Sequence, residues 1–226
     1  MKIRRSLVLS GAVAGLGLIG ATSAVASGPP VSVRVEGVKR TLLPATVVRP
    51  GTGGSITKGG TPPGACPASS GAGALDLATK HRWGGTYSSG LGVEVTSILG
   101  ETHKYSPSGY YWGIWVNNRY ASAGVCDLKL HAGEQLLFAP YPGKGTTSAI
   151  VVSAPRTAKR GSSFRIDTYS YTAKGAEKPL AGASVTGRAV TNARGVATVK
   201  ASKAGKLKLT VTRKGYIRAE ATVAVT

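Results

Sequence analysis

Three histidines, His81, His103 and His131, and a sparse set of carboxylates are the first residues to test for acid–base chemistry in this chain, and they do not fall into a catalytic pattern. Nucleophilic or acid–base catalysis needs a nucleophile, a base and oxyanion donors that converge. No histidine here stands beside a recognisable nucleophile or ligand motif. Glu94 and Glu101 form a candidate acid/base pair on paper, but on or beside a strand such side chains belong to its wet face. The runs Gly143-Lys144-Gly145-Thr146 and Gly51 to Gly60, with Thr57-Lys58-Gly59 inside it, lack the glycine–lysine–serine/threonine spacing that cradles a phosphate between strand and helix. Two separated cysteines and three scattered histidines do not make a zinc set. The sequence therefore predicts neither catalytic residues nor a metal site.

Recognition is the chemistry that remains. Tyr110 to Phe138 gathers aromatics, a turn and a cysteine into one segment. Asn117-Asn118 lies between alternating runs, and asparagine tolerates the positive φ of a tight two-residue hairpin. On the first strand of that hairpin Tyr110, Trp112, Ile114 and Val116 share one face, and Tyr111, Gly113 and Trp115 share the other. Two arrangements are open. One set points inward while the other lies near an edge, where its rings stack on a planar ligand or a sugar. Alternatively both sets are buried, one against a helix and one against a neighbouring domain. In the first arrangement Tyr111, Trp112, Trp115 and Tyr120 supply apolar contact, and Asn117, Asn118 and Arg119 orient polar groups.

These residues need a frame to hold them. Val31 to Val35 and Thr41 to Val48 read as strands, and the Gly/Thr/Pro-rich stretch from Pro50 to Gly64 as a loop. A short helix follows, capped by Ser69 or Ser70, with Leu75, Ala78 and Thr79 on its inner face. Further strands are expected at Val93 to Leu99, Tyr110 to Val116, Arg119 to Ala121 and Gln135 to Phe138. Hairpin, helix and returning strands make an α+β layer over residues 27–139. Residues 140–148, rich in proline and glycine, read as a linker. Beyond it, Ala149 to Ser153, Ser163 to Thr172, Ala183 to Val190, Gly195 to Ala201, Lys206 to Thr212 and Arg218 to Val225 are short, regularly spaced strands. That is the pattern of an all-β sandwich over residues 149–226, so the whole chain is mainly β.

Three motifs occur in order: Gly73-Ala74-Leu75-Asp76-Leu77-Ala78, Tyr111-Trp112-Gly113-Ile114-Trp115-Val116-Asn117-Asn118, and Gly133-Glu134-Gln135-Leu136-Leu137-Phe138. Together they resemble the transcobalamin-like C-terminal domain over roughly residues 31–139. The resemblance implies a β-grasp that binds a soluble ligand. It alone brings in a corrinoid, which relatives hold between this domain and a helical barrel that has no counterpart among these 226 residues. In the second half Pro179 to Val185, Thr191 to Ala197 and Lys214-Gly215-Tyr216 resemble bacterial immunoglobulin-like and carboxypeptidase-regulatory-like modules. Those modules usually space or adhere.

Residues 1–26 read as a signal peptide: Lys2, Arg4 and Arg5 lead an apolar run from Leu7 to Ile19, and Ala24-Val25-Ala26 precedes cleavage before Ser27. Arg4-Arg5 leaves twin-arginine export open beside general secretion. In an exported chain Cys66 and Cys126 default to a disulfide. Charge is uneven, since residues 149–226 hold fifteen basic and three acidic side chains of a chain whose net charge is +20. That half suits an anionic cell-wall polymer or a membrane surface. It has too few interleaved aromatics for a sequence-specific nucleic-acid reader. The expected protein is a secreted or extracellular, wall-associated, non-enzymatic binder of an unknown soluble ligand or partner. The competing expectation is a structural or adhesive envelope protein with no small-molecule ligand.

Overall fold

The computed structural model describes residues 27–104, 106, 109–143, 147–172 and 175–226. The leader, residues 144–146 of the linker and the Lys144–Thr146 part of the glycine run lie outside the described residues. The fold is mainly β, with one α-helix among the described residues.

The first half contains β1 (Val31–Glu36), β2 (Thr41–Val48), α1 (Gly71–Ala78), β3 (Trp83–Ser88), β4 (Gly92–Ile98), β5 (Glu101–Thr102), β6 (Tyr111–Val116), β7 (Arg119–Tyr120) and β8 (Gln135–Tyr141). Its main sheet has the order β2-β1-β8-β6-β7, with β1 and β8 parallel in the middle and the other pairs antiparallel. A first hairpin, a helical crossover and a last strand returning parallel to the first is the β-grasp arrangement. A smaller sheet, β3-β4-β5, lies beside it.

Helix α1 shows how this half is tied together. Ser70 caps it, its hydroxyl accepting from the Ala72 N–H at 3.2 Å. The Ala72 N–H also donates to the Val125 carbonyl, and the Gly71 N–H to that of Leu128. The first-turn donors, which a helix cannot satisfy internally, are thus met by a distant loop. The Cys66–Cys126 disulfide holds that loop in place. Gly73 weakens the helix by propensity, yet a Cβ there would collide with the Ala68 carbonyl oxygen. Leu75 and Ala78 enter the core with Val33, Val35, Trp83, Ile98, Leu136 and Phe138.

The second half contains β9 (Ser148–Ser153), β10 (Thr157–Ala158), β11 (Ser163–Tyr171), β12 (Glu177–Pro179), β13 (Ser184–Val185), β14 (Ala189–Val190), β15 (Val196–Lys200), β16 (Gly205–Thr212), β17 (Tyr216–Ile217) and β18 (Ala219–Val225). One sheet has the order β10-β18-β16-β13-β14; the other has β12-β11-β9-β17, with β15 on β11. Ile150, Ile166, Leu180, Val185, Val199, Leu209, Val211 and Val223 fill the space between them. The expected single strand from Ala183 to Val190 is instead β13 and β14, a hairpin whose turn takes Thr186 to φ 53° and Gly187 to φ 67°. A third apolar cluster joins the halves: Trp115, Leu137 and Ala139 from the first, Ala149 and Ile217 from the second.

Candidate ligand-binding site

The Asn117-Asn118 turn is formed as its residues dictate. Both asparagines have positive φ, 48° and 65°, and Trp115 pairs with Tyr120 and Val116 with Arg119 across it. The Asn117 side chain is occupied, its Oδ1 accepting from the Gln135 N–H at 3.0 Å. Asn118 lines a cleft of about 350 Å³ between the halves. Arg119 donates to the Gly175 carbonyl of the second half at 3.3 Å.

The two faces of β6 go to different places. Trp112 enters the first core, where its ring meets His103 edge to face at 4.9 Å. Trp112 Nε1 and His103 Nδ1 are both buried without a hydrogen-bond partner among the described residues. Trp115 enters the seam and is 1% exposed. Its ring folds back over Gly113, where a Cβ would stand 2.7 Å from Trp115 Cη2 and 2.9 Å from Tyr141 Cβ. Glycine at that position is what lets the indole come this close to its own strand.

Around the buried Trp115 stand three tyrosines. Its ring is 5.3 Å from that of Tyr120 and 6.0 Å from that of Tyr141. Tyr120 and Tyr141 are 4.8 Å apart, Tyr111 and Tyr141 5.3 Å. The hydroxyls of Tyr111 and Tyr120 share a hydrogen bond of 3.1 Å, and Tyr120 is 47% exposed. Burial first, then the bond to Tyr111, hold the Tyr120 phenol well above the ordinary tyrosine range. The structure thus brings Tyr111, Trp115 and Tyr120 to one ledge, sends the Arg119 guanidinium to Gly175 and puts Trp112 behind the sheet. Tyr141 belongs to the ledge although its position reads as linker. Continuing the alternation Leu137, Ala139, Tyr141 past Pro140 would have found it.

On the other side of the seam the β1–β2 turn is clasped from two directions. Glu101 Oε1 accepts from the Val38 N–H at 2.8 Å and pairs with His103 Nε2 at 2.7 Å. Arg218 donates to the carbonyls of Gly37, Val38 and Lys39 at 2.6–2.7 Å, and its Nε lies 3.2 Å from Glu36 Oε2. Glu36 is 1% exposed, and Thr41 and Arg34 also reach it. Burial outweighs these partners and pushes its carboxyl up to about 7. Burial likewise lowers the Arg34 guanidinium. Glu36 and Arg218 line a second cleft, of about 480 Å³, with Tyr110 and Tyr216.

Two histidines are bound to carboxylates. His81 Nδ1 meets Asp76 Oδ2 at 2.5 Å, while Asp76 Oδ1 accepts from Trp83 Nε1 at 2.8 Å. Lys58 closes that knot, donating to the His81 carbonyl at 2.8 Å beneath the helix end. The nearest hydroxyl in sequence, that of Thr79, is committed to the Leu75 carbonyl at 2.7 Å. Glu94 lies on β4 with an exposed side chain, while Glu101 serves the turn just described. Among the described residues no group of three or more His, Cys, Asp or Glu is placed to hold a metal ion. Nor is any described helix long and apolar enough to cross a membrane. No protein-family model matches this chain, and no curated protein matches it.

Proposed function

We propose that this is an exported, non-enzymatic binding protein. Its first half is a transcobalamin-like domain that takes a soluble ligand or partner on the tyrosine ledge, and its second half is an immunoglobulin-like body that keeps it at the cell surface. The observation that carries the reading is the half-exposed Tyr120 ring, packed on Tyr141 at 4.8 Å and hydrogen-bonded to Tyr111. Rings locked by their neighbours offer a flat apolar surface at low entropic cost, with hydroxyls at the rim for orientation. The disulfide supports an oxidising destination.

The test is native mass spectrometry of the oxidised mature protein after incubation with a culture extract spiked with corrinoids. A retained small-molecule mass that disappears in Tyr120→Ala supports the reading and gives the ligand class. A bare protein mass, with strong retention on isolated cell walls that Tyr120→Ala leaves unchanged, replaces it by the adhesive one. The buried state of Trp115 favours that second reading for the tryptophan itself, since a ring 1% exposed serves the seam.

A further inference from the structure

The outer face of the β10-β18-β16-β13-β14 sheet carries basic side chains that the fold leaves unneutralised. On β16, Leu207, Leu209 and Val211 turn inward, so Lys206 and Lys208 stand on the opposite face, both exposed. Across the ladder Lys206 pairs with Ala224 and Lys208 with Thr222. Directly opposed unlike charges stabilise an antiparallel pair, and here each of those positions holds a small neutral residue. The lysines are thereby left standing over a low floor, extended by Thr157, which pairs with Ala224 from the other side.

Three further cations join them at one end. The Lys159–Ser162 turn is hydrogen-bonded to the turn before β16, Gly161 N–H to the Ala201 carbonyl and Ala201 N–H to that of Ser162. This brings the exposed Lys159, Arg160 and Lys203 to the end where β16 begins. Among the described residues none of these five basic groups has an ion-pair partner. The only acid on the strands of this sheet, Glu220, is on the same face opposite Thr210, diagonal to Lys208 at the far end from Lys159, Arg160 and Lys203, and its charge also acts on Arg34 across the seam.

We infer that this face is a docking surface for an extended phosphodiester polymer, held by Lys206 and Lys208 along β16 and by Lys159, Arg160 and Lys203 at its end. The inference rests on the reading of the second half as the anchoring body and names the face and the partner. It is independent of the tyrosine ledge. Lys206 and Lys208 are two residues apart on one strand, about 6.6 to 6.8 Å, so successive charges meet a chain laid along the strand. The low floor of alanine and threonine lets that chain approach. Four of the five cations are lysines, point charges that suit the tetrahedral phosphates of such a polymer, whereas a planar carboxylate is matched better by the forked guanidinium of arginine.

The test uses the full mature chain and two variant pairs. Lys206→Gln with Lys208→Gln empties the face; Lys178→Gln with Arg194→Gln removes the same charge elsewhere on the second half. Binding to immobilised poly(glycerol phosphate), to polygalacturonate and to phosphatidylglycerol vesicles is measured over a range of salt. The expected result is about tenfold weaker polymer binding for the first pair, with the slope of log K against log salt reduced by roughly 1.4, about 0.7 per lysine as for single-stranded polyanions. The control pair stays within about threefold of the parent. Binding to polygalacturonate as tight as to poly(glycerol phosphate), or tighter, overturns the phosphodiester. Equal losses in both pairs overturn the face while sparing the anchoring reading. Preference for vesicles over both polymers overturns the partner. Failure of the parent protein to bind any of the three overturns the anchoring reading as well.

Discussion

Arg218 reaches across the seam to Glu36, Nε to Oε2 at 3.2 Å, yet burial keeps the carboxyl near a pKa of about 7. Taking the carboxylate out of water outweighs its attraction to Arg34 and Arg218, the usual balance for ion pairs with little solvent. One oxygen, Oε1, accepts no hydrogen bond among the described residues, so a proton placed there displaces none.

A pH dependence follows from that balance. The folded pKa lies above the ordinary 4.5, so the folded state holds the proton more tightly than the unfolded chain. The associated stability is fully present below about pH 4.5 and is lost as pH rises through about 7, an effect on the order of 3 kcal/mol. Thermal unfolding of the parent and of Glu36→Gln at about pH 5 and about pH 8 isolates it. The parent's stability relative to the variant should fall as pH rises. A difference that grows with pH would show the ion pairs to dominate instead.

Trp112 gives a second expectation. Its Nε1 is buried without a partner among the described residues, so Trp112→Phe removes an unsatisfied donor together with part of the ring. The loss should be below about 2 kcal/mol, whereas Trp112→Ala should cost about 3–5 kcal/mol through the cavity it leaves. Denaturant midpoints of the two variants decide this. Equal losses would mean that the nitrogen has a partner in solution.

The Tyr120 phenol should ionise later than an ordinary tyrosine, because burial and the Tyr111 hydroxyl both favour its neutral form. Absorbance titration into strong alkali should show a late phase that vanishes in Tyr120→Phe. In Tyr111→Phe it should move earlier while staying above the ordinary range. A late phase that survives Tyr120→Phe would place the perturbed phenol elsewhere.

The disulfide is expected to matter through α1. It closes a sequence separation of 60 residues, worth about 4 kcal/mol in the chain-entropy model. It also positions the Val125 and Leu128 carbonyls that accept from Ala72 and Gly71. Replacing both cysteines by serine should therefore lower the unfolding midpoint and speed amide exchange at Gly71 and Ala72 ahead of exchange in β1 and β8. Uniform acceleration over the first half would confine the bridge to a general chain effect.

Much of this frame is legible in local chemistry. The Asn117-Asn118 turn, the bounds of β2 and the Ser70 cap each follow from residues within a few positions of one another. What escapes such reading depends on remote partners. Trp83–Ser88 hides its strand behind Gly84 and Gly85, and a Cβ on Gly85 would stand 2.7 Å from the Glu94 carbonyl oxygen across the β3–β4 pair. Pro140 looks like a stop, yet β1 pairs with β8 only as far as Phe138. By Pro140 that side of the strand is open, and the missing N–H interrupts no ladder. Glu36 and Arg218 are 182 residues apart, and nothing near either one announces the other.

The seam should make the two halves unfold as one. Trp115 is 1% exposed and packs with Leu137 and Ala139 on one side and Ala149 and Ile217 on the other, so removing its ring opens a cavity shared by both halves. Trp115→Ala should cost about 3–5 kcal/mol and divide a single calorimetric transition into two, as interface stabilisation is withdrawn from both. The tryptophan distribution allows a direct reading. Of the three tryptophans, Trp83 and Trp112 lie in the first core and Trp115 in the seam. With Trp83→Phe and Trp112→Phe combined, fluorescence reports the seam alone. Its emission should be blue-shifted in the native state and move to the red in the same denaturant range that unfolds the sheets. Red-shifted emission before the sheets unfold would mean that the halves part first, with the apolar seam weaker than the two cores it joins.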